Sequence, residues 1–257
     1  MGRRKQEAPV VSIITPVFNA QGYLQSTYHS ILNQDMTSWE WICVDDCSTD
    51  DSLSILQKWA SEDARVKVFA SPRNFGAAKS RNLAMDYASG VYLAFLDSDD
   101  LWLPGKLTKQ LSVMHGGARF SSTAFLVSDT HLSKQLSAVD TRHHKQTFDY
   151  YDLLKKELTC GCSTVMVSSE LVKTTRMPML RRGQDYAFWL SLLRGGEVIT
   201  LLPEPLTVYR VRPGSLSRNK FKKILFQWKI YRQLEKLNLR QSIWAFLNYV
   251  KNALIRK

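Results

Sequence analysis

Short apolar segments alternate with helix-like segments through the first hundred residues, and this alternation constrains the fold more than any other feature. Runs rich in β-branched and aromatic residues predict strands at 10–14, 39–44, 66–69 and 92–96. Apolar residues spaced three and four apart predict helices between them, at 23–34, from the capping residues 48–51 to residue 59, and at 77–88. Such alternation predicts an α/β fold with a mostly parallel sheet flanked by helices. The first strand is expected to end at Thr15-Pro16.

The pattern becomes mixed after residue 113. Two further apolar runs predict strands at 120–127 and 163–167, and the polar stretch 130–145 predicts a loop or a hairpin. Residues 185–193 predict a helix. The four cysteines, Cys43, Cys47, Cys160 and Cys162, do not follow the usual zinc spacings, so we interpret them as small reduced residues rather than metal ligands.

Polar side chains collect where the predicted strands end. They are Thr15, Asn19, Asp45, Asp46, Asp97, Asp99 and Asp100. Ligands of parallel α/β sheets bind beyond the carboxyl ends of the strands, so these residues predict a ligand site.

The segment Asp97-Ser98-Asp99-Asp100 has two interpretations. An Asp-x-Asp at a strand end can hold a divalent cation through oxygen ligands, or Asp99 or Asp100 can cap a helix beginning near Leu101. The second acidic pair, Asp45-Asp46, favours the cation, because carboxylates packed together repel one another unless a cation is present.

Spacing alone leaves open the roles of four other residues with reactive or charged side chains. Asp185 is either a helix cap or a general base. Arg81, Arg210 and Arg212 are either phosphate ligands or ordinary surface arginines. The chain contains neither a G-x-x-x-x-G-K-[S/T] nor a G-x-G-x-x-G loop, which argues against common nucleoside-triphosphatase and dinucleotide-binding folds.

The net charge of +12 is concentrated at one end of the chain. Residues 217–257 contain eleven Lys and Arg and one acid, Glu235, so the rest of the chain is nearly neutral. Basic surfaces attract nucleic acid, anionic lipid or phosphate-bearing ligands. We expect no signal peptide and no transmembrane helix, because no apolar run is long enough.

Two apolar stripes at helical spacing run through this basic tail. The first comprises Phe221, Leu225, Trp228, Tyr231 and Leu234, and the second Ile243, Phe246, Leu247, Val250 and Leu254. We expect the first to pack on the body of the protein. The second, which also carries Trp244 and Tyr249, suits an anionic membrane surface, with packing on the body as the alternative.

Six motifs resemble, in order, those of the family 2 glycosyltransferases, which have the GT-A fold. They are residues 11–19 (VSIITPVFN), 44–50 (VDDCSTD), 74–76 with 81–82 (NFG and RN), 94–100 (AFLDSDD), 184–190 (QDYAFWL) and 209–217 (YRVRPGSLS). The chain is also similar to small bacterial members that build O-antigen, lipopolysaccharide or teichuronic-acid chains.

The resemblance implies a role for each matching residue. Thr15, Pro16 and Val17, with Asn19, would line the nucleotide site, Asp46 with Asp45 would read uracil, and Arg81, Ser98, Arg210 and Arg212 would lie near the nucleotide-sugar. Asp97 and Asp99 would form the Asp-x-Asp that holds the ribose and a Mg²⁺ or Mn²⁺, and Asp185 would be the catalytic base. Two positions depart from the common pattern: Gln184 replaces a frequent Glu, and Arg212 stands where many members carry His.

The resemblance also implies an organisation and a reaction. Residues 1–9 would be a basic segment, 10–216 the catalytic domain (nucleotide half 10–113, acceptor half 114–216), and 217–257 the basic helical tail. The reaction would be inverting, metal-dependent transfer from a nucleotide-sugar, expected to be a UDP-sugar, to a lipid-linked glycan at the inner face of the cytoplasmic membrane. We expect no nucleic-acid partner. The alternatives are a nucleotidyltransferase, an inactive sugar-nucleotide-binding protein, or a basic module that binds RNA or lipid.

Overall fold

The computed structural model describes residues 8–143, 145–211 and 226–255. Its strands are β1 (Val11–Val17), β2 (Trp39–Asp45), β3 (Val66–Ala70), β4 (Tyr92–Phe95), β5 (Leu101–Trp102), β6 (Phe120–Ser128), β7 (Gln135–Val139), β8 (Thr147–Phe148), β9 (Val165–Ser168) and β10 (Ile199–Arg210). Its α-helices of five residues or more are α1 (Gln21–Leu32), α2 (Ser52–Glu62), α3 (Ala77–Asp86), α4 (Lys106–His115), α5 (Tyr150–Leu154), α6 (Gln184–Leu193) and α7 (Leu239–Ile255). Arg212, the basic residues of the N-terminal run 1–7, and the tail residues 217–225 lie outside the described residues.

One sheet organises the molecule, in the order β3-β2-β1-β4-β9-β6-β10-β5, with β7 and β8 paired to β6 and β10. The strands β3, β2, β1 and β4 run parallel, β9 is antiparallel to both of its neighbours, and β10 is parallel to β6. The predicted α/β fold is confirmed, with a parallel first half and a mixed second half.

Helices cover both faces of the sheet, which explains the continuous apolar strand sequences. On β1, Ile13 faces a cluster formed with α1, α2 and α4, while Ile14 faces a second cluster formed with α3, α5 and α6. Successive strand side chains point to opposite faces, so a strand buried on both sides needs an unbroken apolar run.

Three local expectations differ from the structure or are decided by it. Strand β1 continues through Pro16 to Val17, because β4 pairs with β1 only as far as Ile14, and a proline is tolerated where one side of a strand is unpaired. The alternative interpretation of the acidic segment, a cap for a helix beginning near Leu101, is wrong, because β5 lies there and α4 begins only at Lys106. The polar stretch after β6 is a hairpin, since β7 pairs with β6.

The described part of the tail packs on the body through its first stripe, as expected. Ile230 and Tyr231, in a π-helical turn Ile230–Leu234, are buried against α5 and α6, and the Tyr231 hydroxyl donates to Leu154 O at 2.7 Å. Helix α7 follows, with Ala245 buried and Trp244 exposed. Within the described residues, no helix combines the length and apolarity that a membrane span requires.

Candidate functional site

The end of β2 anchors the loop that begins α3. The carboxylate of Asp46 is buried and accepts the backbone N–H groups of Phe75, at 2.8 Å, and Gly76, at 2.7 Å. Gly76 has a φ of +92°, a conformation that favours glycine. The chain therefore turns from the 74–76 motif into α3 directly against Asp46.

Asp45 and Asn19 organise the loops after β1 and β2. Asp45 is buried; one carboxylate oxygen accepts Ser48 N at 3.0 Å, and Oδ1 has no hydrogen-bond partner. Asn19 holds a left-handed backbone and accepts Thr49 N at 2.8 Å, which ties the two loops together.

The remaining candidates on β1 are buried. The Thr15 hydroxyl accepts the indole N–H of Trp41 at 2.8 Å, and the carbonyl of Val17 accepts Asp46 N at 2.7 Å. Pro16 lies between them and is buried as well. Their burial keeps the end of β1 fixed relative to the Asp46 loop.

The acidic segment after β4 includes one carboxylate, that of Asp100, with a structural role. Asp100 is buried, accepting Ser163 Oγ at 2.5 Å and Arg210 N at 3.0 Å, so it braces β10 and the turn before β9. Burial, and then the charges of Asp99 and Asp97, raises the pKa of Asp100 well above its usual range. Ser98 is buried and its carbonyl accepts Thr27 Oγ1 at 3.1 Å.

A divalent cation fits this donor set. Asp97 and Asp99 carry carboxylate oxygens, the ligands that Mg²⁺ and Mn²⁺ prefer, at the end of β4. In the described part of the chain, no three His, Cys, Asp or Glu side chains converge as a metal site. Nucleotide phosphate oxygens would therefore have to complete the coordination.

Arg81, on α3, is buried and forms an ion pair with Asp97 through Nη2. Burial acts to lower its pKa, but the charge of Asp97 opposes this and leaves the pKa above its usual value. The guanidinium Nε and Nη1 have no hydrogen-bond partner. A buried cation with unsatisfied donors is costly, so these atoms suit an anionic ligand.

Helix α6 carries Asp185 in its first turn. The helix is fixed to the sheet by Trp189, whose ring lies 5.3 Å from that of Phe95 and whose indole N–H donates to Cys160 O at 3.2 Å. The N-cap is Gly183 rather than Asp185. Withdrawal from water raises the pKa of Asp185, against the backbone N–H of Tyr186 and the charge of Arg81, which favour the ionised form.

Asp185, Arg81 and Asp97 line one cavity of about 360 Å³. These residues come from α6, α3 and the end of β4, so the cavity is assembled from segments far apart in the chain. An aspartate with a raised pKa beside a buried arginine in a cleft marks this cavity as a candidate functional site.

The structure describes only one of the two other arginines predicted as phosphate ligands. Arg210, at the end of β10, is buried; its Nη2 donates to Ser26 Oγ at 3.0 Å and its guanidinium lies 5.0 Å from the ring centroid of Tyr23. It therefore joins β10 to α1. Arg212 lies outside the described residues.

Sequence reasoning missed several residues of the site. Ser163 donates to Asp100 and accepts Asp97 N at 3.1 Å, and nothing in its sequence context marks it. Lys156, Arg181 and Arg182 line the cavity of Asp185. The adjacent arginines before Gly183-Gln184-Asp185 were the one available signal.

Comparison with known proteins identifies the family of this chain. Residues 12–172 match the family model described as Glycosyl transferase family 2. The glycosyltransferase TuaG of Bacillus subtilis, named for teichuronic acid biosynthesis, is 41% identical over 97% of this chain and 98% of its own length. WfgD of Escherichia coli, named a UDP-Glc:α-D-GlcNAc-diphosphoundecaprenol β-1,3-glucosyltransferase, is 32% identical over 94% and 92%.

The fold is also that of solved structures. TarS of S. aureus, in a crystal structure with UDP-GlcNAc, superposes with a TM-score of 0.72 at 18% identity, covering 94% of this chain and 72% of the other. The chain therefore belongs to glycosyl transferase family 2, and it is a glycosyltransferase with the GT-A fold. This result disfavours the nucleotidyltransferase and RNA-binding alternatives.

Proposed function

We propose that this glycosyltransferase moves a sugar from a UDP-sugar to a hydroxyl of a lipid-linked, growing cell-surface glycan, with inversion at the anomeric carbon. The observation that carries the proposal is the cavity in which Asp185, Arg81 and Asp97 meet. The name of WfgD, a relative of similar length, supports both the donor and the acceptor class.

The nucleotide is assigned to the ends of β1, β2 and β4. Asp46, with Asp45, would recognise uracil, and Thr15, Pro16, Val17 and Asn19 would form the walls. Arg81 and Ser98 would lie near the sugar diphosphate, with Arg210 and Arg212 as further phosphate ligands. The unsatisfied Nε and Nη1 of Arg81 support its part in this assignment.

Asp97 and Asp99 would hold a Mg²⁺ or Mn²⁺. When bound, such a cation neutralises the charge that develops on the departing nucleoside diphosphate. The protein residues do the remaining work: Asp97 keeps its ion pair with Arg81, and Asp100 and Ser163 hold the acidic loop in place.

Asp185 would act as the general base. It takes the proton of the acceptor hydroxyl while that oxygen forms a bond to the anomeric carbon, and the bond from this carbon to the diphosphate oxygen breaks. Attack from the face opposite the leaving group inverts the configuration. The raised pKa of Asp185 brings its basicity closer to that required near neutral pH.

The enzyme would work as a peripheral protein on the cytoplasmic face of the membrane. Leu239, Ile243 and Leu247 form an exposed apolar stripe on α7, and exposed Lys236, Arg240 and Lys251 surround it. This combination suits anionic lipid, where a lipid-linked acceptor would be presented.

The decisive experiment uses Asp185→Asn. We expect transfer from UDP-glucose to a GlcNAc-diphospholipid acceptor to fall by about a hundredfold to ten-thousandfold, the usual contribution of a general base. UDP affinity in the presence of Mg²⁺, measured by calorimetry, should stay within about twofold, because uracil and diphosphate are held elsewhere.

Asp129→Asn, on the β6–β7 hairpin, is the matched control and should retain full activity. Wild-type turnover by the Asp185→Asn enzyme would disprove the base assignment. Failure of the wild-type enzyme to transfer from any UDP-sugar in a donor panel would disprove the proposed donor class.

A further inference from the structure

The cavity of Asp185 carries more positive charge than the reaction so far uses. Among its described lining residues are four cations, Arg81, Lys156, Arg181 and Arg182, against the carboxylates Asp97 and Asp185. Arg81 forms an ion pair with Asp97, and Lys156, Arg181 and Arg182 line the cavity together with the base. Such clustering favours a ligand with more than one negative charge.

Specific backbone geometry positions these cations. Lys156, just after the end of α5, has a φ of +59°. Few residues other than glycine adopt this backbone conformation. The Lys156 ammonium donates to the Tyr249 hydroxyl at 3.4 Å and lies 4.6 Å from the centroid of that ring. Helix α7 thus forms a wall of the cavity beside Lys156.

The two arginines are positioned by the glycine that follows them. Gly183 has a φ of +66°, and a Cβ there would lie 3.0 Å from Ile230 Cδ1. The turn therefore packs tightly against the tail while bringing Arg181 and Arg182 to the entrance of α6. A side chain at position 183 would push this turn away from the cavity.

The cavity also contains buried donors that suit an anionic ligand. Arg81 is 5% exposed, and its Nε and Nη1 lack hydrogen-bond partners although the residue lines the cavity. Buried donors of this kind are normally satisfied. The donor diphosphate proposed above would supply the missing acceptors, so this cavity would hold an anion beside Lys156, Arg181 and Arg182.

The three further cations come from other segments of the chain than the nucleotide candidates. Arg81 and Asp97 come from the half of the sheet that holds the nucleotide candidates. Lys156, Arg181 and Arg182 come from the segment that follows α5 and the segment that precedes α6, and they line the same cavity as Asp185. The general base lies among them, and an acceptor must reach that base.

We propose that Lys156, Arg181 and Arg182 form a binding site for the diphosphate of a lipid-linked acceptor. This inference rests on the proposed function and adds the residues that recognise the acceptor. The three cations hold the diphosphate, the neighbouring α7 faces the lipid, and the acceptor sugar hydroxyl is thereby held at Asp185.

The test compares two probes on the full-length chain with saturating UDP and Mg²⁺, so that the donor site is occupied. One probe is GlcNAc-α-diphosphate with a short alkyl chain, and the other is the neutral GlcNAc-α-alkyl glycoside. Calorimetry should show that the wild type prefers the diphosphate probe by about tenfold or more, the effect of a few charge-assisted hydrogen bonds.

The variant Arg181→Gln/Arg182→Gln should reduce that preference to about threefold or less, while UDP affinity stays within about twofold. Lys156→Gln is a second variant that tests the same site from another segment, and should reduce the preference in the same direction. Lys58→Gln/Lys134→Gln removes two exposed charges elsewhere and should leave the preference unchanged. Thermal unfolding confirms that each variant is folded.

Three results would overturn the inference. They are a wild type with no preference for the diphosphate, folded cavity variants that keep the full preference, and variants that lose UDP affinity as strongly as probe affinity. The last result would assign the cations to the donor diphosphate. If the cavity variants keep the full preference for the diphosphate probe while Asp185→Asn is inactive in transfer, this inference is rejected and the proposed function stands.

Discussion

The Asp185 carboxyl illustrates how single residues acquire function from their surroundings. Its position at the start of α6 was visible in the sequence, but cap and base were equally compatible with that position. The structure gives the cap to Gly183 and withdraws Asp185 from water, which raises its pKa. Burial depends on chain-distant neighbours, so local spacing could not supply it.

This raised pKa leads to a prediction for the pH dependence. A general base works only when ionised, so kcat/KM should fall as pH falls through the pKa of Asp185. We expect the acidic limb above the value of about 4 that is usual for aspartate. A pH–rate profile with a saturating metal concentration measures this limb. An acidic limb at or below pH 4 would contradict the role of burial at Asp185.

Asp100, in contrast to Asp185, acquires a structural role from its surroundings. The sequence grouped it with Asp97 and Asp99 as a ligand or a cap, whereas the structure buries it against Ser163 and Arg210. Ser163 was not predicted at all. Its partners lie more than sixty residues away in the chain, and a lone serine carries no pattern that reveals such a contact.

At the scale of the elements, Gly90, just before β4, lies so close to β1 that a larger residue does not fit there. A Cβ on Gly90, just before β4, would lie 2.6 Å from Ser12 N and 2.8 Å from Ser12 Oγ. Gly90 N also donates to Ser12 Oγ at 2.8 Å. The close contact fixes the register of the two strands whose far ends carry the site.

We therefore expect Gly90→Ala to lower the free energy of unfolding by roughly 1–3 kcal/mol, the usual range for overpacking against fixed atoms. Chemical denaturation measures the change. Gly22→Ala is the matched control: Gly22 is exposed on α1 with nothing within 4 Å of a Cβ. That change should be neutral or stabilising by about 0.5–1 kcal/mol. Equal effects of the two substitutions would contradict the steric argument.

The limits of strands and helices were predicted unevenly. The runs forming β2, β3 and β4 were recognised because strands buried on both faces are continuously apolar. The end of β1 was placed too early, because Pro16 normally stops a strand and only the pairing pattern shows that it has no β4 partner. The turn Ile230–Leu234 and its burial against α6 depend on tertiary packing.

In the molecule as a whole, one face of the tail packs on the body of the protein and the other face is exposed. Phe246 packs against the cluster beneath α6, and Tyr249 lines the cavity, whereas Leu239, Ile243 and Leu247 remain exposed. The sequence had grouped Ile243, Phe246 and Leu247, together with Tyr249, on one apolar stripe. The structure separates an inward face from an outward face, and the outward face is the one available to lipid.

We expect Ile243→Ser/Leu247→Ser to weaken binding to vesicles of phosphatidylglycerol and phosphatidylethanolamine by about fivefold or more, because two apolar anchors are lost. Vesicle co-sedimentation measures this. Val91→Ser/Leu136→Ser removes exposed apolar side chains elsewhere and serves as the control. The α7 variant should still transfer sugar to a short-chain acceptor in detergent at the wild-type rate. Vesicle binding equal to that of the wild type would contradict the membrane role of α7.

The sequence by itself determined the α/β class and the family, because apolar periodicity and short ordered motifs are local properties. It also identified most polar residues at the strand ends, since the carboxyl ends of parallel strands share one edge of a sheet. Only the tertiary structure decided that Asp100 and Ser163 brace the acidic loop, and that Lys156, Arg181 and Arg182 share a cavity with Asp185. Those relations depend on burial and on contacts between distant segments, which no local pattern encodes.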